Sequence, residues 1–282
     1  MVIRELLTES VRRLKENNIE NAIFDANLII RSVLKLKPID LVLSYNKDVE
    51  DEKIDCVRKL IEKRCQNEPL QYILGTQEFM GLEFIVNKNV LIPRADTETL
   101  VEAVLELNRG MNVLDICTGS GCIALSIAHY NKNAFVIGLD ISADALSVAS
   151  ENAEKLSLSE RVRFEKCDIM NSIPDGVYDV IVSNPPYIES NEIEALQAEV
   201  SLHEPHIALD GGVDGLDFYR RIIKIAPTLL QEQGRLYFEV GCNQAKQVIK
   251  FMEKDFDNCF IKKDLCGISR VVCGTKKRRQ RP

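Results

Sequence analysis

The strongest constraint in the sequence is an alternation of short β-rich runs with helical stretches that begins at Asn112. The β-rich runs are Val113 to Ile116, Phe135 to Leu139, Val162 to Cys167, Val180 to Ser183 and Leu236 to Val240. Alternation of this kind is typical of βαβ units, so it predicts an α/β fold with a parallel sheet and helices on both faces. Ligands of such sheets bind beyond the carboxyl ends of the strands, so residues that follow each run are the first candidates for a site.

The residues before this alternation follow a different pattern. From Val2 to about Ile73 the apolar side chains recur at the spacing of amphipathic helices. Two short extended segments between Gln77 and Val90, separated by Met80-Gly81, predict a β-hairpin. We therefore expect three parts: a small all-helical domain at 1–75, a β-hairpin linker at 76–92 and an α/β domain at 93–282.

The charge of the chain argues against nucleic acid as the main partner. The formal net charge is −7, and the last seven residues, Lys276 to Pro282, carry five positive charges, so the remainder sums to −12. Binding to a phosphate backbone needs clustered lysine and arginine side chains, which disfavours a duplex as the partner of an acidic body. The basic tail is interpreted as a solvated terminus, although contact with ribosomal RNA stays open.

The cysteines and histidines indicate the cellular compartment and whether a metal site is expected. Nine cysteines without any Cys-x-x-Cys pair suit a reducing compartment. No apolar run approaches the roughly 18 residues of a membrane span. We therefore expect a cytoplasmic protein without membrane contact. The three histidines, His129, His203 and His206, join no cluster with zinc-like spacing, so no metal site is expected.

The loop after the first β-rich run has the character of a nucleoside site. Asp115 closes this run, and Cys117-Thr118-Gly119-Ser120-Gly121 leads into an apolar helix. Glycine lets the backbone turn sharply and approach a ligand, and the start of a helix offers unpaired N–H groups. The next run is followed by Asp140, about 20 residues after the glycines, as expected of an acid that binds a ribose. The sequence therefore predicts that this loop and Asp140 bind a nucleoside cofactor.

These loops leave the identity of the nucleoside open. Gly119, Gly121 and Ala124 also satisfy the looser fingerprint of dinucleotide-binding loops. Asp168 and Ile169 follow the third run and are candidates to flank an adenine ring, although an acidic loop residue is by default solvated. Cys117 is an alternative nucleophile, but no basic partner is evident, so a packed thiol is the favoured interpretation.

The fourth run delivers Asn184-Pro185-Pro186-Tyr187 to the same edge of the sheet. Two prolines restrict the backbone before them and remove two N–H donors, so the segment is rigid and presents carbonyl groups. The Asn184 side-chain oxygen and the Pro185 carbonyl are both acceptors, and together they can hold both hydrogens of one planar NH2 group. We predict that Asn184 and Pro185 are catalytic, that the whole tetrapeptide binds substrate, and that Asn184 also faces the cofactor. The alternative is that the segment is only structural, a proline turn in which the tyrosine is packed.

Such a pair of acceptors suits methylation of a nitrogen. A carboxamide nitrogen is a poor nucleophile because its lone pair is delocalised into the carbonyl group. Fixing both N–H bonds aims the nitrogen at an electrophilic methyl group and favours its pyramidalisation in the transition state. No strong base is needed beforehand, because the proton becomes acidic only after the nitrogen acquires positive charge. Tyr187 can stack on a flat amide or base.

Six segments carry a family resemblance: Pro69 to Gly75, Leu91 to Glu98, Asp115 to Gly121, Asn184 to Ile188, His203 to His206 and Asp210 to Leu216. Together they resemble the HemK/PrmC family of release-factor glutamine methyltransferases, and the match covers nearly the whole chain. The resemblance implies a helical N-terminal domain, a hairpin linker and a class I, Rossmann-like methyltransferase domain. It also implies S-adenosylmethionine as methyl donor and, as acceptor, N5 of the glutamine in the Gly-Gly-Gln loop of class 1 peptide chain release factors.

The resemblance also assigns residues by position. Thr118 to Gly121 and Asp140 would line the cofactor, Asn184 to Tyr187 would hold the glutamine, and Arg94 to Glu98 resembles a segment near that pocket. Family members often carry glycine where this chain has Cys117 and proline where it has Ala95, but neither departure removes a proposed acceptor. The helical domain at 1–75 lacks candidate catalytic residues, so we expect it to recognise the protein substrate.

Other functions share these motifs. A sister enzyme that methylates a glutamine of a ribosomal protein would use the same cofactor and acceptor motifs, although Glu194 to Val200 resembles the release-factor branch more. An adenine-N6 methyltransferase acting on DNA or RNA would grip the same two hydrogens, but the chain shows no basic, aromatic-rich strand to help extract a base. A nicotinamide-dependent oxidoreductase, or a binding module without turnover, would also use the nucleoside site.

Overall fold

A computed structural model describes residues 1–278, which form two compact units. Unit 1 contains Met1–Gly75 and a returning segment, Gln197–His203. Unit 2 contains Thr76–Leu196 and the chain from Glu204 onward. The last four residues of the basic tail, 279–282, lie outside the described residues.

The N-terminal part of unit 1 is helical, as its sequence periodicity predicts. Its helices are α1 (Ile3–Glu16), α2 (Ala22–Leu34), α3 (Pro38–Leu43), α4 (Asp51–Cys65) and α5 (Leu70–Leu74). Their apolar faces meet in one core, in which Leu14, Ile29 and Ile61 are buried. Pro38 begins α3, and Gly75, with a φ of 78°, ends α5 in the left-handed conformation, as is usual for proline and glycine at helix ends.

An antiparallel hairpin begins unit 2. Its strands are β1 (Thr76–Phe79) and β2 (Leu82–Ile85). Met80 and Gly81 both have positive φ, 53° and 68°, which is the backbone of a type I′ turn. The hairpin therefore lies where the Met80-Gly81 pair predicts it.

Within the described residues, the main sheet of unit 2 has seven strands. They are β3 (Met111–Ile116), β4 (Ala134–Asp140), β5 (Val162–Lys166), β6 (Tyr178–Ser183), β7 (Leu230–Glu239), β8 (Phe256–Lys263) and β9 (Ser269–Lys276). Their spatial order is β5-β4-β3-β6-β7-β9-β8, and the first five are parallel. This confirms the predicted α/β sheet.

At one side of the sheet, two further strands extend the predicted parallel sheet with antiparallel pairing. Strand β9 runs antiparallel to both β7 and β8. Only residues 264–268 join β8 to β9, and a connection this short permits an antiparallel pair but not the longer crossover that parallel neighbours require.

Helices cover both faces of this sheet. The α-helices of unit 2 within the described residues are α6 (Ala95–Leu105), α7 (Cys122–Tyr130), α8 (Ala143–Lys155), α10 (Asp217–Leu229) and α11 (Ala245–Met252), whereas α9 (Ala198–His203) belongs to unit 1. Alternate side chains of a strand point to opposite faces, so Val113 packs in one core with α6 and α7, whereas Leu114 packs in another with α10 and α11.

Helix α9 belongs to unit 1 through a buried ion network. The Arg64 side chain of α4 is 6% exposed and pairs through Nε with Asp25 Oδ2 at 2.7 Å. Its Nη2 pairs with Glu199 of α9. The Gln66 carbonyl oxygen lies 3.2 Å from Nε2 of His203. Segment Gln197–His203, which follows the acceptor motif in sequence, is therefore anchored among the helices of unit 1.

The order of the strands places a crevice at the carboxyl ends of the parallel strands. The chain runs from β3 outward to β5 and then returns to place β6 on the other side of β3. Such a reversal opens a ligand crevice at the carboxyl ends of the two central strands. The loops that begin at Cys117 and Asn184 therefore start at this edge.

Candidate active site

Four loops of unit 2 line one cleft at the carboxyl edge of the sheet. They follow β3, β4, β5 and β6. The predicted residues that line it are Cys117, Gly119, Asp140, Asp168, Ile169, Asn184 and Pro186. Thr118, Ser120 and Gly121 are buried within their loop, and the lining includes neither these three nor Pro185 and Tyr187.

Asp140 is held in one orientation by backbone donors. Its Oδ2 accepts a hydrogen bond from Gly119 N at 2.9 Å, and its Oδ1 accepts one from Ser142 N at 2.9 Å. Burial raises the pKa of this carboxyl group, and the backbone hydrogen bonds oppose the rise. A carboxylate has about four acceptor positions, so the backbone donors leave room for a hydroxyl group of a ligand.

The two glycines of the loop have different roles. Gly119 has a φ of +54°, and a Cβ atom added there would meet nothing within 4 Å, so its backbone is open to a ligand. Gly121 has a φ of +78°, and an added Cβ would lie 2.8 Å from Phe164 Cζ. Gly119 therefore leaves room at the cleft, whereas Gly121 permits close packing below it.

Cys117 is a packed thiol with a constrained backbone. Its φ of 62° lies in the left-handed region that favours glycine, which explains why glycine suits this position. Burial raises the pKa of the thiol well above its ordinary value. A thiol that stays protonated is a weak nucleophile, so the structure favours the packing interpretation.

Asp115 lies buried beneath the same loop. Its Oδ2 accepts a hydrogen bond from Thr118 Oγ1 at 2.6 Å. Burial is the main cause that raises the pKa of this carboxyl group to about 7. The Asp115–Thr118 pair joins the end of β3 to the glycine loop and fixes where the loop begins.

The raised pKa of Asp115 predicts a pH-dependent stability. The folded carboxyl group binds its proton more tightly than the unfolded one, so its stabilising effect is complete below the unfolded pKa of about 4 and is lost as the pH rises to about 7. Across this window Asp115 should lower the free energy of unfolding by roughly 1.4 kcal/mol per pH unit. The free energy of unfolding of Asp115→Asn, measured with urea at several pH values, should therefore fall less steeply with pH than that of the wild type. Parallel profiles for the variant and the wild type would contradict the assignment.

The acceptor motif after β6 is tied to its surroundings at both ends. Asn184 Nδ2 donates to Thr97 Oγ1 at 3.3 Å. The carbonyl oxygen of Tyr187 accepts from Gln244 Nε2 at 2.9 Å, and the Tyr187 hydroxyl donates to Glu239 Oε1 at 3.5 Å. Among the described residues, no hydrogen bond reaches Asn184 Oδ1 or the Pro185 carbonyl oxygen. Both predicted acceptors thus have free lone pairs.

The glycine-rich segment Asp210–Leu216 braces this motif. Ile188 and Asp210 form a parallel bridge, with Ile188 N donating to Leu209 O at 3.0 Å. A Cβ atom on Gly211 would lie 2.7 Å from Tyr187 Cα, and one on Gly215 would overlap the Tyr187 carbonyl oxygen. These glycines permit a close approach of two backbones and explain why the segment is glycine-rich.

The Leu91 to Glu98 segment is anchored by an ion pair. Arg94 Nη2 pairs with Oε1 of Glu204, whose side chain is 1% exposed. Glu204 Oε2 accepts a hydrogen bond from Ile92 N at 3.3 Å. Arg94 thus neutralises a buried carboxylate, and it is not among the residues that line the cleft.

Three residues around the acceptor motif were missed by the sequence reasoning. They are Thr97, Glu239 and Gln244. Thr97 lies in the segment that the resemblance placed near the pocket, and Glu239 ends β7 at the same edge of the sheet. The position of Glu239 at the end of a strand could therefore have identified it from the sequence. The orientation of Thr97 on α6 follows only from packing.

Residues 1–278 contain neither a candidate metal site nor a candidate membrane span. No group of three or more histidine, cysteine, aspartate or glutamate side chains in this range could hold a metal ion. No helix in the same range is both long enough and apolar enough to cross a bilayer.

Two family models match the sequence. Residues 107–281 match a methyltransferase domain, and residues 5–75 match the PrmC N-terminal domain. Together the two matches span most of the chain. They agree with the class I methyltransferase fold that the resemblance implies.

Individual relatives agree with these matches. The chain is 43% identical to a release factor glutamine methyltransferase of Geobacter sulfurreducens, over 96% of both chains. It is 41% identical to one of Clostridium acetobutylicum, over 98% of this chain and 99% of the relative. A solved methyltransferase from Pyrococcus furiosus has a TM-score of 0.52 at 18% identity, over 70% of this chain and 90% of that one, which shows the fold alone.

Proposed function

This chain belongs to the family of release factor glutamine methyltransferases, and we propose that it methylates N5 of the glutamine in the Gly-Gly-Gln loop of class 1 peptide chain release factors. Its methyl donor is S-adenosylmethionine. The observation that carries the assignment is the placement of Asn184 and Asp140 on one cleft, with the Asn184 nitrogen already engaged and its oxygen free.

The residues of the cleft fit a nucleoside sulfonium ligand. Asp140 keeps acceptor positions for ribose hydroxyl groups, and the backbone of Gly119 is open to close approach. Ile141 and Met170 also line the cleft and are 40% and 37% exposed, so they offer apolar surface to a flat base. We propose that these four residues, with Cys117, Asp168 and Ile169, hold S-adenosylmethionine.

The acceptor amide is bound by oxygen atoms of the tetrapeptide. Asn184 Oδ1 and the Pro185 carbonyl each accept one hydrogen of the glutamine NH2 group, and Pro186 and Tyr187 limit its position. Holding both hydrogens directs the nitrogen lone pair out of conjugation and toward the donor, which lowers the barrier by positioning and by oriented dipoles.

When held by the residues of the cleft, S-adenosylmethionine would supply an electrophilic methyl group, and its sulfur would keep the electron pair of the carbon–sulfur bond as the glutamine nitrogen bonds to that carbon. The nitrogen then carries one proton too many and a positive charge. That proton is now acidic and passes to water from a hydrogen bond to Asn184 or Pro185. No strong base has to precede the transfer, which agrees with the absence of a charged side chain from the predicted tetrapeptide.

The deciding assay is methyl transfer from labelled S-adenosylmethionine to purified release factor, ribosomal protein and DNA in parallel. We expect one methyl group on the Gly-Gly-Gln glutamine of release factor, mapped by mass spectrometry. Methylation of ribosomal protein or DNA alone would replace the proposed acceptor. Transfer to none of the three would reject the proposed substrate class.

Replacing Asp140 with alanine should weaken cofactor binding by about 10- to 100-fold, because hydrogen bonds to a charged partner are worth roughly 1.5–3 kcal/mol. Calorimetric titration with S-adenosylmethionine measures this loss. Asp175→Ala is the matched control, because Asp175 is exposed and does not line the cleft. Equal affinities of the two variants would refute the role of Asp140.

We propose that unit 1 contacts the release factor, and a truncation to residues 76–282 that methylates release factor at full efficiency would refute this. Nucleic acid is not proposed as substrate, since the chain before the basic C-terminal tail carries a formal net charge of −12. A cytoplasmic location is proposed because nine cysteines without any Cys-x-x-Cys pair suit a reducing compartment.

A further inference from the structure

A line of buried polar groups lies behind Asn184. Thr97 of α6 and Glu239 at the end of β7 are each 2% exposed. Asn184 Nδ2 donates to Thr97 Oγ1 at 3.3 Å. Burial raises the pKa of the nearby Glu239 carboxyl group to about 7, and the Thr97 side chain opposes this rise. Glu239 Oε2 has no hydrogen-bond partner among the described residues. The same carboxylate accepts from the Tyr187 hydroxyl at 3.5 Å. The buried carboxyl group of Glu239 thus lies near both ends of the acceptor motif.

The chemistry of these groups determines which of them donate hydrogen bonds and which accept them. When the Glu239 carboxyl group is ionised, above its raised pKa of about 7, it accepts hydrogen bonds and donates none, whereas a threonine hydroxyl has one hydrogen to donate. If Thr97 donates its hydrogen to Glu239, its oxygen can only accept from Asn184. The Asn184 amide must then turn its nitrogen toward Thr97 and its oxygen away from it.

An inverted amide would oppose the reaction. With the amide turned over, the Asn184 NH2 group would replace Oδ1 and meet the NH2 group of the substrate glutamine. Two donors would then face each other, and one of the two acceptors for the substrate would be lost. The orientation of Asn184 therefore decides whether the cleft can hold a primary amide.

We propose that Thr97 and Glu239 are positioning residues that orient the Asn184 side-chain amide so that its oxygen faces the acceptor glutamine. This inference rests on the proposed function, because it concerns the same acceptor site. Neither residue contacts the reacting atoms. Both act through Asn184, and Glu239 acts also through Tyr187.

The kinetic test compares Thr97→Val with Thr97→Ser. Valine keeps the shape but has no oxygen, so kcat for release factor methylation should fall by about 10- to 100-fold, the fold-change expected when a buried hydrogen-bonding partner is removed. The KM for S-adenosylmethionine should stay within about threefold. Serine keeps the hydroxyl and should restore most of the lost kcat. A Thr97→Val enzyme with wild-type kcat, or a Thr97→Ser enzyme as slow as Thr97→Val, would overturn the proposal.

A second readout does not depend on turnover. In protein labelled with ¹⁵N-asparagine, the side-chain NH2 resonances of Asn184, identified by their loss in Asn184→Ala, should report the hydrogen bond to Thr97. We expect them to shift and to exchange faster with solvent in Thr97→Val and in Glu239→Gln. Unchanged resonances in both variants would overturn the proposal even if the enzyme methylates release factor. Shifted resonances would support it even if the methylated substrate differs from the one proposed. If Thr97→Val does not fold, Thr97→Ala serves, since it also lacks the hydroxyl.

Discussion

Asn184→Ala is expected to lower the rate of release factor methylation by about 100- to 1,000-fold, the loss typical of removing one oriented hydrogen-bonding group from a reacting centre. The side-chain oxygen is one of only two proposed acceptors for the glutamine NH2 group. Without it, the amide can rotate and its lone pair stays conjugated with its carbonyl group. The loss should fall on kcat, because the interaction strengthens as the nitrogen becomes pyramidal.

Two measurements make this prediction specific. Thermal shift with S-adenosylmethionine should show that the variant still binds the cofactor within about tenfold of wild type, since Asp140 and Gly119 are unchanged. Asn133→Ala is the matched control, because Asn133 is exposed and precedes β4 at the opposite edge of the sheet. Activity of Asn184→Ala within a few fold of this control would mean that the amide is held by other groups.

Arg64→Met should destabilise unit 1 by about 3–5 kcal/mol, the usual loss when one partner of a buried ion pair is removed. The Asp25 side chain is 5% exposed and pairs with Arg64 at 2.7 Å, so the variant would leave a buried carboxylate without its cation. Glu199 would lose its partner in the same step. Helix α9 would then be held less firmly among the helices of unit 1.

Hydrogen exchange followed by mass spectrometry suits this test, because a chain with two units need not unfold in one transition. Amides of α2, α4 and α9 should lose protection, while those of β3 and β6 should not. Arg58→Met is the matched control, since Arg58 forms a pair with Glu9 at the surface of the same unit, and surface pairs contribute little. In the double variant Arg64→Met with Asp25→Leu, most of the protection should return, as apolar groups of similar volume often replace a buried pair without loss. Equal protection in Arg64→Met and Arg58→Met would show that the buried pair is dispensable.

Much of the fold was predictable because it depends on local pattern. The runs that became β3 to β7 are recognisable from β-branched residues between helical stretches, and Met80-Gly81 marks its turn through the backbone that it needs. The antiparallel pair β8 and β9 was not predicted. Its only local signal is a short connection at 264–268, and the identity of its neighbour β7 depends on pairing between residues distant in sequence.

In the candidate site, too, some residues were predictable from the sequence and others were not. Asp140, Asn184 and the glycine loop were predicted because each follows a β-rich run, and parallel strands bring such positions to one edge whatever the rest of the chain does. By itself, then, the sequence determined which groups we propose for the site: the Asp140 carboxylate as a ribose acid, the Gly119 turn that is open to a ligand, and two acceptors for an NH2 group. Only the tertiary structure decided how these groups are held, namely that Thr97 from α6 and Glu239 from β7 meet behind Asn184, and that Arg64 of α4 pairs with Glu199 of α9. These contacts join residues far apart in sequence, 87 positions for Thr97 and Asn184 and 135 for Arg64 and Glu199. The physical reason is that side-chain orientation at such separations is set by the packing of whole elements, which no local spacing encodes.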